Sequence, residues 1–123
     1  MDLRLEVVQV PVSDIDRAKA FYAERAGFNL DHDTSPSEGM RVVQLTPPGS
    51  ACSIVIGTGL LESDPGSASL QLVVDDIEAA RSELAGRGIE ISEIKVLGRP
   101  GHRGFKFAFF KDPDGNRWAV QER

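Results

Sequence analysis

Residues 12–19 read Val-Ser-Asp-Ile-Asp-Arg-Ala-Lys, and residues 74–81 read Val-Asp-Asp-Ile-Glu-Ala-Ala-Arg. The offset of about 62 residues exceeds ordinary solenoid periods, so the echo reads as one duplicated supersecondary unit. Each stretch follows an apolar-rich run, 7–12 and 70–74, and each leads toward a glycine, Gly27 and Gly88. Asp14 suits a helix N-cap, with Ile15, Ala18, Phe21 and Tyr22 on one stripe and Gly27 as the stop. Asp76 does the same for Ile77, Ala80 and Leu84, with Gly86 or Gly88 ending the helix. Shorter runs with strand character follow: 29–33, 40–46 and 51–57 in the first unit, then 89–96, 105–111 and 117–122 in the second. Segments 34–39, 58–68 and 97–104 read as loops. The order is βαβββ twice, in modules of about 1–60 and 66–123 within a single domain spanning 1–123.

Composition narrows the function classes. The chain has 123 residues, with 41% apolar and 27% charged side chains, which fits neither disorder nor a membrane protein. No run approaches the roughly 20 apolar residues that span a bilayer, and the opening Met1-Asp2-Leu3-Arg4-Leu5-Glu6 does not read as a signal peptide. Cys52 is the only cysteine, so no internal disulfide framework, zinc ribbon or CxxC redox site is expected. Nineteen acids against 14 bases argue against a nucleic-acid partner. A soluble cytoplasmic domain, with neither nucleic acid nor membrane as partner, is the expectation.

Strand alternation separates two faces. Val8, Val10, Cys52, Ile54, Ile56, Leu70, Leu72, Val74, Trp118 and Val120 are nearly all apolar and belong under the helices. Cys52 accordingly reads as core. The opposite set holds Val7, Gln9, Ser53, Val55, Ser69, Gln71, Val73, Arg117, Ala119 and Gln121. Such a mixed face is either solvated or the lining of a ligand cleft. Phe105, Phe107 and Phe109 share one side of their strand, opposite Ala108 and Phe110. An aromatic row of this kind stacks a planar ligand or buries itself against a second subunit, so a homodimer is expected. The loop Gly98-Arg99-Pro100-Gly101-His102-Arg103-Gly104 is either a solvated loop or a clamp for an anionic group. No nucleophile elbow is present.

The duplicated βαβββ order, the stretch Val-Pro-Val-Ser-Asp-Ile-Asp-Arg-Ala-x-x-Phe-Tyr (10–22) and the turn Asp-Pro-Asp-Gly-Asn-x-Trp (112–118) together resemble the vicinal oxygen chelate superfamily. That group includes glyoxalase I, extradiol dioxygenases, and bleomycin- and fosfomycin-resistance proteins. The resemblance covers essentially the whole chain. It implies an α+β fold in which two tandem βαβββ modules form a cupped mixed sheet with the helices on its convex side. It also implies four metal-ligand positions in the metal-using members, which carry over by spacing onto Val7, Ser53, Ser69 and Ala119. Valine and alanine have no lone pair to offer, and serine is a poor ligand for zinc, iron or nickel. No metal and no cofactor are therefore expected.

The expected function is a metal-free small-molecule-binding protein that sequesters an antibiotic or binds a metabolite. Its cup would be lined by Val7, Gln9, Ser53, Ser69, Gln71, Phe107, Arg117, Ala119 and Gln121, with His102 and Arg103 near the mouth. Such a lining suits a neutral or mono-anionic molecule with a flat apolar part. Two alternatives stand beside it. One is a glyoxalase-like lyase or isomerase, or a dioxygenase-related enzyme, using Arg117, His102 or Gln9 as acid–base and electrostatic groups. The other is a vestigial cup that acts only through dimer contacts. The sequence leaves open whether the cup forms within one chain or across two.

Overall fold

The computed structural model describes residues 1–58 and 63–123. The first module runs β1 (Val7–Gln9), α1 (Ile15–Ala20), β2 (Asn29–Thr34), β3 (Arg41–Thr46) and β4 (Ser53–Thr58). The second runs β5 (Ser69–Val74), α2 (Ile77–Gly86), β6 (Lys95–Leu97), β7 (Phe105–Lys111) and β8 (Arg117–Glu122). The mixed sheet comes as two four-stranded sheets of identical topology, β1-β4-β3-β2 and β5-β8-β7-β6. In each, the first strand pairs in parallel with the last and the remaining pairs are antiparallel. Among the described residues no helix is long and apolar enough to cross a membrane.

Both helices start where the acid caps predict. Asp14 accepts from the Arg17 amide and Asp76 from the Ala79 amide, each at 3.0 Å. Past α1 the chain widens into a π-helical turn over Phe21–Arg25, which turns both Phe21 and Tyr22 toward the core. Gly27 and Gly88 then take positive φ, as helix-ending residues do.

Three sequence expectations change. The run 89–96 contributes only Lys95–Leu97 as a strand. Its first part is held by single contacts instead of a ladder: Ile89 N bonds Leu84 O, Ser92 N bonds Phe109 O, and Arg81 Nε reaches Ser92 O. Strand β1 stops at Gln9, two residues before Pro11, which has no N–H to donate. Finally, the double-proline turn delays β4 to Ser53. Cys52 therefore sits half-buried in that turn, outside the core.

One apolar cluster unites the modules: Ile54, Ile56, Trp118 and Val120 come from the face assigned to the helices, and Val43, Leu45, Ala108 and Phe110 join them. Leu70, Leu72 and Val74 pack at its margin. The two sheets share this core without sharing a ladder. A polar seam closes it. Tyr22 Oη donates to Asp112 Oδ2 at 2.7 Å and accepts from Trp118 Nε1 at 3.0 Å. Asn116 Nδ2 reaches both Asp112 Oδ2 and the Pro11 carbonyl at 2.8 Å. Ser13 Oγ donates to Asp114 Oδ1 at 2.5 Å. The turn 112–116 thus grips the β1–α1 segment of the first module. Gly66 lies against the same turn at φ +84°, where a Cβ would run into the Asp114 carbonyl oxygen.

Candidate functional site

The helices and the shared core leave the mixed face of the second sheet uncovered. Strand register arranges it in three rows: Ser69–Arg117–Lys111, Gln71–Ala119–Phe109 and Val73–Gln121–Phe107. On this face Val73 is 50% exposed and Phe109 39%. The rings of Phe107 and Phe109 stack at 6.0 Å with an interplanar angle of 3°. Trp118 points the other way, 2% exposed against Tyr22 and Phe28, while Arg117 is exposed. That resolves the strand register in favour of Arg117 on the mixed face.

A groove of about 830 Å³ opens at the Arg117 end of the sheet. Its lining combines Ser69, Arg117, Lys111, Ala119 and Phe109 of the mixed-face rows with Glu90, Phe110 and Trp118. His102 and Arg103 lie elsewhere. They sit in the loop before β7, with the Arg103 guanidinium 5.9 Å from the Phe105 ring centroid. Six residue steps along β7 lead from Phe105 to Lys111, roughly 20 Å at the usual rise. The structure therefore brings Ser69, Arg117 and Ala119 together and holds His102 and Arg103 at the far end. Gln71 and Gln121 hydrogen-bond each other between these ends.

The mixed face of the first sheet is closed along β4 and open along β1. Val7 pairs with Ser53, and Gln9 with Val55, where Ser53 and Val55 are only 7% and 8% exposed. Ser53 Oγ shares a 2.6 Å hydrogen bond with Thr46 Oγ1, and Asp31 accepts from both Thr46 and Gln44. These bonds, the Thr46 one foremost, hold the Asp31 carboxyl below its ordinary range. Sequence reasoning missed Asp31, Gln44 and Thr46. Alternation from buried Val43 and Leu45 would have put Gln44 and Thr46 on this face. A register shift between Leu30 and His32 in β2 is what brings Asp31 to them, and no residue pattern announces it.

The four metal positions do not fit a transition metal. Val7 and Ser53 are direct partners, but Ser69 pairs with Arg117 and Ala119 with Gln71. Neither row of the second sheet supplies the donors that zinc, iron or nickel takes, and the Ser53 hydroxyl is already bonded to Thr46. The acids Asp76, Glu78 and Glu122 approach one another at the start of α2. There Glu122 accepts from the Ile77 amide and Lys106 pairs with Glu78, so the cluster is accounted for by the helix terminus.

Paired βαβββ modules around a shared core, with an open face turned away from the helices, define a class. The chain belongs to the Glyoxalase/Bleomycin resistance protein/Dioxygenase superfamily, whose family model matches residues 4–120. Among solved structures it is similar to TnmS3, described as an antibiotic binding protein, from Streptomyces sp. CB03234. The two share 34% identity over 98% of this chain and 96% of that one, with a TM-score of 0.80. It is also similar to a superfamily member from Sphaerobacter thermophilus DSM 20745, at 28% identity, 99% and 98% coverage and a TM-score of 0.81. The uncharacterized protein YetH of Bacillus subtilis is 28% identical over 124 residues, covering 97% of this chain and 98% of that protein.

Proposed function

We propose that this chain is a small-molecule-binding protein without catalytic activity, which holds its ligand on the mixed face and works as a homodimer in the cytoplasm. The observation that carries the proposal is the uncovered second-sheet face, where stacked Phe107 and Phe109 and exposed Val73 stand beside the Arg117 groove. Apolar side chains so arranged are favoured only if something covers them, a flat ligand, a second copy or both. Ligand contacts come from Ser69, Gln71, Phe107, Arg117, Ala119 and Gln121. Val7, Gln9 and Ser53 contribute where a first-module face, from the same chain or its copy, closes over the ligand. His102 and Arg103 touch only a ligand long enough to reach the far end of β7. Likeness to an antibiotic-binding protein supports sequestration of a toxic compound as the role.

Separation of Arg117 from His102 favours binding over catalysis, because an acid–base pair must converge on one reacting group. The test is a panel of flat, neutral and mono-anionic compounds screened by thermal shift, with each bound compound recovered and analysed by mass spectrometry. A saturating ligand at 100 times its Kd adds about 2.7 kcal/mol of stability, and it should return chemically unchanged. Recovery of a converted product would overturn the proposal in favour of a lyase or isomerase. Substituting Arg117→Ala should weaken an anionic ligand by about 1–3 kcal/mol and leave the fold intact.

A further inference from the structure

Lys111 and Arg117 face each other directly across the antiparallel pair β7–β8. Alternation puts both on the mixed face, with Cβ atoms about 5 Å apart. Like charges at that position destabilise a sheet. Among the described residues neither side chain has a carboxylate partner. Acids are not scarce, since the chain carries 19 against 14 bases. Two acidic residues line the same groove, Asp112 and Glu90. Both oxygens of Asp112 are taken, by Tyr22 Oη, the Asp114 and Asn116 amides and Asn116 Nδ2. Glu90 makes no ion pair with either cation.

The next row along the sheet is Ala119 and Phe109, one strand period away, or about 7 Å. Ala119 leaves room above the sheet, and the Phe109 ring continues into the parallel Phe107 ring. We propose that Lys111 and Arg117 form an anion anchor, with Ala119 and Phe109 as an adjoining aromatic platform, and that the ligand is a flat aromatic acid. The spacing requires the anionic group to be joined directly to the ring system. This assignment rests on the binding-protein reading above and narrows its ligand class. It also accounts for an uncompensated cationic pair in an acidic chain: a bound carboxylate or sulfonate supplies the missing charge, through short charge-assisted hydrogen bonds to Arg117.

The test uses 2-naphthoate and 2-naphthamide, which share a ring and differ in charge. Both are titrated into the ¹⁵N-labelled protein and followed by amide shifts. The naphthoate should bind at least tenfold tighter, with shifts centred on Phe109, Arg117 and Ala119. K111Q and R117Q should each lower naphthoate affinity about tenfold and leave naphthamide unchanged, while R117K retains most of it. Ligand-free K111Q should melt at the wild-type temperature or above, because it relieves a repulsion. Equal binding of the two probes, unaltered in both glutamine variants, overturns the anion anchor and leaves the binding-protein reading standing. Shifts confined to the Phe105 end overturn the location. If neither probe moves any amide at millimolar concentration, the anchor and the mixed-face reading fall together.

Discussion

Replacing Tyr22 by phenylalanine removes one oxygen from the seam between the modules and leaves the ring in place. That oxygen donates to the Asp112 carboxylate at 2.7 Å and accepts from the Trp118 indole at 3.0 Å, in a residue with no exposed surface. A hydrogen bond to a charged group contributes about 1.5–3 kcal/mol, and a buried donor left without a partner costs about 1–3 kcal/mol. The two contributions overlap, because Asp112 keeps three other donors, so the net loss should be about 3 kcal/mol. Unfolding entropy near 2.1 cal/mol/K per residue gives about 0.26 kcal/mol/K for a chain of this length, hence a fall in Tm of about 12 °C. Thermal and urea unfolding followed through Trp118, the only tryptophan, measure this directly. The urea m-value should stay unchanged, since the surface exposed on unfolding hardly differs. A loss below about 0.5 kcal/mol would refute the reasoning, because the seam would then be an incidental contact.

Tyr22 is also the only tyrosine. Burial first, then the Asp112 hydrogen bond and charge, hold its hydroxyl far above its ordinary value of 10. The folded form keeps this proton where the unfolded form loses it. Stability should therefore be intact below pH 10 and fall above it by about 1.4 kcal/mol per pH unit. Tyrosinate absorbance should appear together with unfolding, and reversible titration near pH 10 in the folded protein would contradict the burial. Elemental analysis of protein prepared without chelators should find far less than one zinc, iron or nickel per chain, whereas one equivalent would favour the enzyme. Light scattering at micromolar concentration should give twice the 13.4 kDa chain mass, and a monomer would remove the second copy from the proposal.

Much of this was legible in the sequence because it depends on local rules. The acid caps, the glycine stops and the alternation in 117–122 each involve a few neighbouring residues, and all three hold. So does the family resemblance carried by 10–22 and 112–118. The failures are non-local. Ile89 and Ile91 alternate as a strand would, but they and Ile94 serve the core while Ser92 alone bonds β7. Cys52 obeys its alternation only if β4 begins one residue earlier than it does after the double proline. The Asp31 network depends on a slipped pairing in β2, and the partnership of Lys111 with Arg117 depends on how tightly the turn 112–116 closes. Arg117 was visible as a lone cation, but its neighbour across the ladder was not.

The seam also bears on how the chain reaches its native state. Tyr22 meets Asp112 across 90 residues and Asn116 meets Pro11 across 105, so these bonds form only after the longest loop closures have been made. Until then Trp118 and Phe110 in the second half lack the aromatic cover that Phe21, Tyr22 and Phe28 of the first half provide. Neither half holds a finished interior by itself. Despite its internal duplication, the molecule should melt in one cooperative transition, and excising either module would leave the other with bare aromatic surface.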